Sequence, residues 1–277
     1  MHHDPDQFLL RFWGVRGSIP TPGRDFVRYG GETTCLEVRV GGRLVIIDCG
    51  TGLRALGHRM EEAGEREADV LLSHTHLDHI YGLPFFRPAY DPKSSIRFFA
   101  GHLDGGQTLS SVLGTLMTPS LYPVAIEELQ GAYFKTFEGG ETLHLDSEIA
   151  VDTLRLNHPG GSIGYRITFR GRSLCVITDH EHGNPAIDAE LAAFVAGADV
   201  LVYDAMFTES EYAAHESWGH STWQKGLEVA AAAGVRVPVL THHDPRRTDV
   251  ELDRLAEEIA RAYPAAIVAA EGLEIAL

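Results

Sequence analysis

The sequence predicts a mixed α/β fold in which β-sheets are covered by helices. Apolar segments rich in β-branched residues recur along the chain, and such segments are typical of strands. In the N-terminal half they are joined by tight turns such as Gly41-Gly42, which favour hairpins. In the C-terminal half they alternate with helical patterns, so a mixed sheet system flanked by helices is expected.

The period of the apolar residues locates the individual elements. The predicted strands are, in chain order, 8–13, 35–40, 44–48, 70–72, 96–100, 149–156, 163–169, 174–177, 200–202, 235–240 and 266–269. The predicted helices are 53–63, 187–196, 222–233 and about 249–263. In the last helix, Leu252, Leu255, Ile259 and Ala262 fall on one stripe, as in an amphipathic helix.

We expect residues 1–277 to form one domain. Hydrophobic residues make up 44% of the chain and charged residues 22%, which suits a folded protein with a substantial core. Segment 84–130 is the least regular part, with interleaved prolines and aromatic residues. It is expected to be either a lid or wall over a pocket or an ordinary surface insertion.

Charge and cysteine content restrict the partners and the compartment. Lys and Arg number 23 and Asp and Glu number 39, so the formal net charge is −16. A field of that sign repels long nucleic acids but allows a small anionic substrate held by bound metal. The three cysteines form no CxxC pair, the N-terminus is polar and acidic, and no long apolar stretch exists. We therefore expect a cytoplasmic protein that does not bind membranes.

The most informative motif is Ser73-His74-Thr75-His76-Leu77-Asp78-His79. It directly follows an apolar strand, and buried polar side chains without partners would cost about 1–3 kcal/mol each. Alternation in an extended chain puts His74 and His76 on one side, and Asp78 and His79 follow on a turn into a helix. Imidazole and carboxylate ligands suit Zn²⁺, with Mn²⁺ or Fe as alternatives. The motif therefore predicts one metal at the first pair and a neighbouring metal at the second.

Further ligand-type side chains follow other predicted strands. His158 follows strand 149–156, Asp179 follows 174–177, and His242-His243 follow 235–240. Each lies on a short polar loop, where a rigid scaffold commonly holds functional residues. Singly, each is also explained as a turn or capping residue. Their repeated placement predicts that they complete the coordination of two metals.

Together these residues resemble the metallo-β-lactamase superfamily over nearly the whole chain. The resemblance implies a four-layer αββα sandwich with the metals in a cleft at one edge. It implies that His74, His76 and His158 bind the first metal, that Asp78, His79 and His242 bind the second, and that Asp179 bridges both. His242 is preferred over His243 as a ligand, which leaves His243 as a supporting or substrate-binding residue.

The branch within the superfamily bears on function. An aspartate at position 179, in place of cysteine, is unlike the zinc β-lactamases that degrade antibiotics. The run Gly219-His220-Ser221-Thr222 resembles a motif of tRNase Z and its phosphodiesterase relatives, in which the histidine is thought to protonate the leaving group. Further segments similar to that branch are Trp13-Gly14-Val15-Arg16-Gly17-Ser18, Tyr29-Gly30-Gly31, Asp48-Cys49-Gly50 and Tyr203-Asp204-Ala205.

One spacing separates the chain from tRNase Z itself. That enzyme usually carries a long arm that grips tRNA between the ligands that match His158 and Asp179. Here 179 − 158 = 21 residues separate them, which leaves room for a short hairpin only. The compact spacing resembles cyclic phosphodiesterases that act on small substrates, including enzymes that open ribosyl cyclic phosphates.

The expected function is therefore a dinuclear phosphodiesterase acting on small cyclic or diester phosphates. Two divalent ions about 3.5–4 Å apart can share a bridging hydroxide as the nucleophile. His220 is the expected proton donor, oriented by Asp204, and Asp78 serves the reaction through the metal. Asp48 is expected to fix a metal-binding histidine, or else to form a turn before Gly50.

The sequence indicates the substrate contacts less clearly than the metal ligands. Arg16 is expected to hold a phosphate group, although a surface ion pair explains it equally well. His182 and His243 are the other candidates for substrate contacts. The expected partners are a small phosphate ester and a second copy of the chain in a homodimer.

Three alternatives remain open at this stage. The first is an RNA 3′-processing endonuclease like tRNase Z that lacks the tRNA-binding arm. The second is a different reaction, since relatives of the fold also hydrolyse thioesters and lactones or are iron oxidoreductases. The third is a metal-dependent binding or sensor domain without catalysis.

Overall fold

The structure is a computed structural model that describes residues 4–277. Its strands are β1 (Phe8–Gly14), β2 (Cys35–Val40), β3 (Arg43–Ile47), β4 (Glu67–Leu72), β5 (Ser95–Ala100), β6 (Ala132–Thr136), β7 (Leu143–His144), β8 (Ala150–Leu156), β9 (Ser162–Phe169), β10 (Arg172–Ile177), β11 (Val200–Asp204), β12 (Val237–Thr241), β13 (Ile267–Val268) and β14 (Glu274–Ala276). Its α-helices are α1 (Leu53–Ala63), α2 (Leu77–Ile80), α3 (Leu109–Leu116), α4 (Pro185–Phe194), α5 (Glu209–Tyr212), α6 (Trp223–Ala232) and α7 (Asp249–Ala262).

The strands form two sheets of seven. The first sheet has the order β14-β1-β2-β3-β4-β5-β6 and the second the order β13-β12-β11-β10-β9-β8-β7. The first sheet is antiparallel from β14 to β3 and parallel from β3 to β6. The second sheet is antiparallel from β7 to β10 and parallel from β10 to β13. Hairpins therefore lie at one side of each sheet and helical crossovers at the other.

The turn between β2 and β3 shows how local sequence sets this pattern. Gly41 and Gly42 both adopt positive φ values, 56° and 78°. Two consecutive residues with positive φ make a turn whose twist matches that of paired strands, and glycine adopts this conformation at little cost. The predicted hairpin is confirmed.

The apolar core consists of three clusters: one between the two sheets and one between each sheet and the helices that cover it. Inward-facing residues such as Val38 and Val45 of the first sheet pack against Ile167 and Val176 of the second. A second cluster lies between the first sheet and α1 and α3, and a third between the second sheet and α4, α6 and α7. Each sheet is thus buried on both faces, and the predicted four-layer αββα sandwich is confirmed.

The predicted elements correspond closely to those observed. Each predicted strand and helix has an observed counterpart, and the predicted bounds of β2 and α1 agree with the structure. Five observed elements were not predicted, and they are short or half-exposed: the helices α3 and α5 and the strands β6, β7 and β14.

Segment 84–130 contributes to the body of the fold. It contains β5, which pairs with β4 and β6 inside the first sheet, so the segment as a whole is not a separable lid. The part after β5 lines a cavity beside His74 and is a wall of it. Movement of that wall stays a prediction. Among residues 4–277, no helix is both long and apolar enough to cross a lipid bilayer.

Candidate dinuclear metal centre

The first group of predicted ligands begins where β4 ends. Ser73 and His74 come directly after the strand and are buried, and His76 precedes the short helix α2. Asp78 and His79 lie on that helix and are also buried. Because α2 turns the chain sharply, the four ligand-type side chains face two adjacent volumes rather than one.

The first volume is enclosed by His74, His76 and His158. One ring nitrogen of each lies within 4.8 Å of those of the other two. Nε2 of His158, which follows β8, is 3.1 Å from Nδ1 of His76. Two nitrogens bound to one ion at about 2.0–2.1 Å are separated by about 3–4 Å, so this spacing fits a shared cation.

The second volume is enclosed by Asp78, His79, Asp179 and His242. Their nearest ligand atoms all lie within 4.8 Å of one another, and all four side chains are buried. Oδ2 of Asp78 is 3.3 Å from Nε2 of His79 and 3.8 Å from Nε2 of His242. Two imidazoles and two carboxylates form a donor set that suits a divalent ion such as Zn²⁺ or Mn²⁺.

Asp179 lies between the two volumes. Its Oδ1 is 3.9 Å from Nε2 of both His74 and His158, and 3.3 Å from Nε2 of His242. Its Oδ2 is 3.1 Å from Nε2 of His79. One carboxylate therefore faces nitrogens of both groups, which is the position a bridging ligand occupies.

The orientation of the histidines tests whether the residues fit metal ions. Nε2 of His74, His79 and His242 is buried without a hydrogen-bond partner among residues 4–277. Since an unpaired buried polar atom costs about 1–3 kcal/mol, three such nitrogens facing one carboxylate call for a ligand that supplies their missing partner. Divalent cations fit this arrangement.

The opposite ring nitrogens are held by the surrounding chain. Nδ1 of His79 is 2.9 Å from Oδ2 of Asp48, and Oδ1 of the same carboxylate accepts from the backbone N–H of Ser73 at 2.7 Å. Nδ1 of His158 donates to the carbonyl of Gly219 at 2.7 Å, and Nδ1 of His242 is 3.2 Å from Oγ1 of Thr34. Such contacts fix the ring and leave Nε2 for the metal. The prediction that Asp48 fixes a metal-binding histidine agrees with this geometry.

The backbone at these positions is strained. Asp48, Asp179 and His242 have φ values of 63°, 55° and 60°, in the left-handed region that residues with a side chain seldom adopt. Such strain costs of order 1–3 kcal/mol per residue and concentrates at functional sites. Three strained residues around one cavity indicate that the fold is organised to hold these side chains.

The charges of the buried groups are coupled. Burial would raise the pKa of Asp179, but His242, His79 and His74 hold that pKa well below its usual range. Burial likewise would lower the pKa of His79, but Asp179, Asp78 and Asp48 raise it well above its usual value. The site therefore holds ionised carboxylates next to ring nitrogens at buried positions.

His220 lies beside the centre and is paired with Asp204. Nδ1 of His220 donates to Oδ2 of Asp204 at 2.8 Å and lies 3.8 Å from Oδ1 of Asp179. The His220 ring stacks on His242 at 5.0 Å between centroids and contacts His158 at 5.4 Å. Burial lowers the pKa of His220, but Asp204, followed by Asp179 and Asp78, raises it to about 9. This geometry agrees with an oriented proton donor.

Residues 221 and 222 explain why His220 has a fixed position. The hydroxyl of Thr222 accepts from the backbone N–H of Lys225 and caps α6. Ser221 is buried between the hydroxyl of Tyr203, at 3.2 Å, and Nδ1 of His182, at 2.8 Å. The two hydroxyl residues tie the segment to a helix and to β11.

Two predicted substrate contacts are wrong. Arg16 is fully buried, and its guanidinium donates to the carbonyls of Gly30 and Arg247, so it holds loops together rather than a phosphate. His243 is also buried, and its Nε2 is 2.9 Å from the carbonyl of Ala269, outside the two metal groups. The alternation of side chains after β12 turns His242 into the centre and His243 away from it.

His182 is half-buried and its role as a substrate contact stays a prediction. Its Nδ1 pairs with Ser221, and its ring stacks on Tyr212 at 4.3 Å. His102 was not among the predicted site residues, yet it lies beside the first metal group, with its ring 6.3 Å from that of His74. The sequence did hold a signal for this position, because His102 follows β5 in nearly the same way that His74 follows β4.

Comparisons with known proteins agree with this geometry. Residues 43–243 match the family described as a beta-lactamase superfamily domain. The chain is 25% identical to the Ribonuclease Z of Gemmatimonas aurantiaca, over 97% of this chain and 96% of that protein. It is 29% identical to the Ribonuclease Z of Methanopyrus kandleri, over 97% and 98% of the two chains.

Solved structures share the fold. The metallo-beta-lactamase fold protein YhfI from Bacillus subtilis superposes with a TM-score of 0.75 at 18% identity, covering 98% of this chain and 100% of that one. The short form of human tRNase Z superposes with a TM-score of 0.68 at 19% identity, covering 96% and 98%. A diphosphatase from the PhnP family superposes with a TM-score of 0.70 at 18% identity, covering 97% of each chain.

Proposed function

The chain belongs to the metallo-β-lactamase superfamily, in its tRNase Z branch, and is a metal-dependent hydrolase, and we propose that it hydrolyses phosphodiesters with two divalent cations. The observation that carries the proposal is the pairing of His220 with Asp204 beside the ligand groups that share Asp179. Hydrolysis of a phosphodiester needs charge stabilisation at phosphorus and a proton for the leaving oxygen, and the two features supply these in one place.

The predicted ligands would hold two cations. His74, His76 and His158 would hold one cation, Asp78, His79 and His242 the other, and Asp179 both. When bound, such cations supply Lewis-acid stabilisation of the phosphoryl oxygens and lower the pKa of a bound water.

His220 supplies the proton. Its Nδ1 is engaged by Asp204, so its Nε2 carries the proton that passes to the leaving oxygen. Asp204 is fully buried and orients the ring and stabilises its charged form. Since the pKa of His220 is raised to about 9, the ring is protonated near neutral pH and can act as an acid.

The leading substrate candidate is the 3′ end of RNA. The relatives that the chain matches over nearly its full length are named Ribonuclease Z, which favours this candidate over the cyclic phosphates expected from the spacing alone. The net charge of −16 then requires that the RNA be held at a few local contacts rather than along a basic surface.

A small phosphodiester is the second candidate, and one observation favours it. Between His158 and Asp179 the chain forms only the hairpin of β9 and β10, joined at Arg170 and Gly171. The alignment with the Gemmatimonas protein spans 321 positions, whereas 97% of this chain is about 269 residues, so about 52 positions of it have no residue here. The short hairpin itself shows that no RNA-gripping arm lies between these two ligands.

The test compares variants of the metal-reconstituted protein on bis(p-nitrophenyl) phosphate. His220→Ala should lower kcat about 100- to 10,000-fold, the contribution typical of a general acid, with metal content near two per chain. His58→Ala is the control, because His58 is an exposed histidine whose side chain is 51% accessible, and it should match the native protein. Loss of metal from the His220 variant would make His220 a ligand and overturn the assignment.

A second panel separates the substrates. Pre-tRNA with a 3′ trailer, 2′,3′- and 3′,5′-cyclic nucleotides and ribosyl cyclic phosphates are assayed on the same preparation. Cleavage of the trailer alone supports the RNA candidate, and turnover of a small diester alone supports the second. A protein that binds two metals and turns over none of these, nor the chromogenic diester, would be a binding or sensor domain instead.

A further inference from the structure

A cavity of about 190 Å³ opens beside the first group of metal ligands. His74, Thr75 and His76 form the side nearest the metals, and the chain after β5 forms the opposite side. The complete lining is His74, Thr75, His76, His102, Leu103, Asp104, Gln107, Val112, Gly160 and Gly161. The cavity therefore extends from the reaction centre towards α3 and the turn after His158.

The lining of this cavity combines polar and apolar side chains. None of its ten residues is a lysine or an arginine, and its one acid, Asp104, is paired with Arg155 at 3.1 Å at the exposed end. Thr75 and Gln107 offer hydrogen-bonding groups. Such a wall disfavours a second phosphate group and favours a neutral ligand with donors and acceptors.

His102 is the most informative residue of the cavity. It is only 4% exposed, its Nε2 is 3.0 Å from Oγ1 of Thr75, and its Nδ1 has no partner among residues 4–277. Its burial and its contact with Thr75 fix the orientation of the His102 ring, so this side of the cavity is rigid.

The position of His220 fixes which part of a substrate lies here. His220 stacks on His242 and reaches His158, whereas the cavity lies on the side of His74 and His76. Since the proton donor must lie next to the leaving oxygen, the leaving group belongs on the His220 side. The other substituent on phosphorus then points into the cavity.

We propose that this cavity binds the non-leaving substituent of the phosphodiester as a single neutral ring with hydrogen-bonding groups, a nucleobase or a sugar. This inference rests on the proposed phosphodiesterase function and adds a specificity site to it. The volume is below the 300–1,000 Å³ of pockets that enclose drug-sized ligands, so it suits one ring rather than a whole nucleotide.

The kinetic test uses two substrates with the same leaving group, thymidine 5′-(p-nitrophenyl phosphate) and methyl p-nitrophenyl phosphate. The Zn²⁺-loaded protein should prefer the thymidine ester at least about tenfold in kcat/KM. Val112→Trp fills the cavity from α3 and should remove most of that preference by raising KM for the thymidine ester. Thr115→Trp adds the same side chain at an exposed position of α3 outside the lining and should keep the native preference.

A milder variant covers the case in which Val112→Trp does not fold. Gln107 is exposed, and Gln107→Ala removes only an amide. It should raise KM for the thymidine ester about threefold and leave the methyl ester unaffected. Equal effects of these variants on both substrates, or an unchanged preference, would overturn the inference.

A binding measurement gives a readout independent of turnover. Saturation-transfer NMR of thymidine with the Zn²⁺-loaded protein should show transfer to the base protons if the base binds in the cavity, or to the sugar protons if the deoxyribose binds there. Val112→Trp should abolish this transfer. Absence of transfer, with the methyl ester still hydrolysed, refutes this inference alone. Absence of hydrolysis of both esters refutes the proposed function itself.

Discussion

Replacing Asp204 by asparagine tests the proton-donor assignment most directly. Asp204 is fully buried, and its Oδ2 accepts from Nδ1 of His220 at 2.8 Å, while Oδ1 accepts from the backbone N–H of Met206 at 3.1 Å. Asparagine keeps the volume and the acceptor for the backbone but removes the charge. The variant therefore changes the electrostatics of His220 with little change in packing.

The expected magnitude follows from the interaction that is lost. A hydrogen bond to a charged group contributes about 1.5–3 kcal/mol, and each 1.36 kcal/mol of activation free energy is a factor of ten in rate. If the interaction supports the transition state, kcat should fall about 10- to 150-fold. KM should change little, because Asp204 is buried behind His220 and does not line the cavity beside the ligands.

The pH dependence gives a second, directional readout. A proton donor is active below its pKa, and Asp204 contributes to raising the pKa of His220 to about 9. Without that charge the pKa of His220 falls, so the alkaline loss of activity should begin at lower pH than in the native protein. A purely structural role for Asp204 would lower activity without moving this limb of the profile.

The assay is kcat for bis(p-nitrophenyl) phosphate between pH 5 and pH 10, with metal content measured on each sample. Asp253→Asn is the matched control, because Asp253 is a partly exposed aspartate that pairs with Arg28 on the surface. Its profile should match that of the native protein. An unchanged kcat in Asp204→Asn, or a fall in kcat that accompanies loss of metal, would refute the assigned role.

Three further predictions concern the surroundings of the centre. Arg16→Met should lower the free energy of unfolding by about 2–4 kcal/mol, because it leaves the carbonyls of Gly30 and Arg247 unpaired, and KM should not change. Denaturant titration measures the first quantity and steady-state kinetics the second. A raised KM would restore a role for Arg16 in substrate binding. Gly219→Ala should lower the metal content measured by elemental analysis, because a Cβ at this position would lie 2.3 Å from Nδ1 of His158. Gly197→Ala is the control, because Gly197 also has a positive φ but a Cβ there would have nothing within 4 Å, so this variant should keep its metal. Equal metal loss in both variants would point to backbone strain alone. Native protein should not react with a thiol reagent until it unfolds, because its three cysteines are buried; prompt labelling would show that this part of the core opens.

The ligand set was predictable because of where strands end. The strands β10, β11 and β12 run parallel in the second sheet, so the polar residues that follow β10 and β12 lie at one edge of it. The residues after β4 lie at an edge of the first sheet, and the packing of the two sheets brings the two edges together. His158 at the end of β8 follows the same rule from the antiparallel part of the second sheet. His102 after β5 obeyed it too, and was overlooked because a lone histidine carries no motif.

The failures have a different physical origin. Whether Arg16 reaches a substrate or lies in the interior depends on loops distant in sequence, since its partners Gly30 and Arg247 approach only in the folded chain. The choice of His242 over His243 came from a resemblance, and the structure supplies its physical basis in the direction of each side chain. Short elements such as β7 and β14 were missed because two or three residues carry too little periodicity.

The division of the ligands between the sheets bears on how the metals relate to stability. His74, His76, Asp78 and His79 come from the first sheet, and the remaining ligands come from the second. The two sheets also share a continuous apolar core that contains no metal ligand. Each cation bound at the centre would tie residues of one sheet to residues of the other. Cation binding should therefore add to the stability of the interface between the sheets.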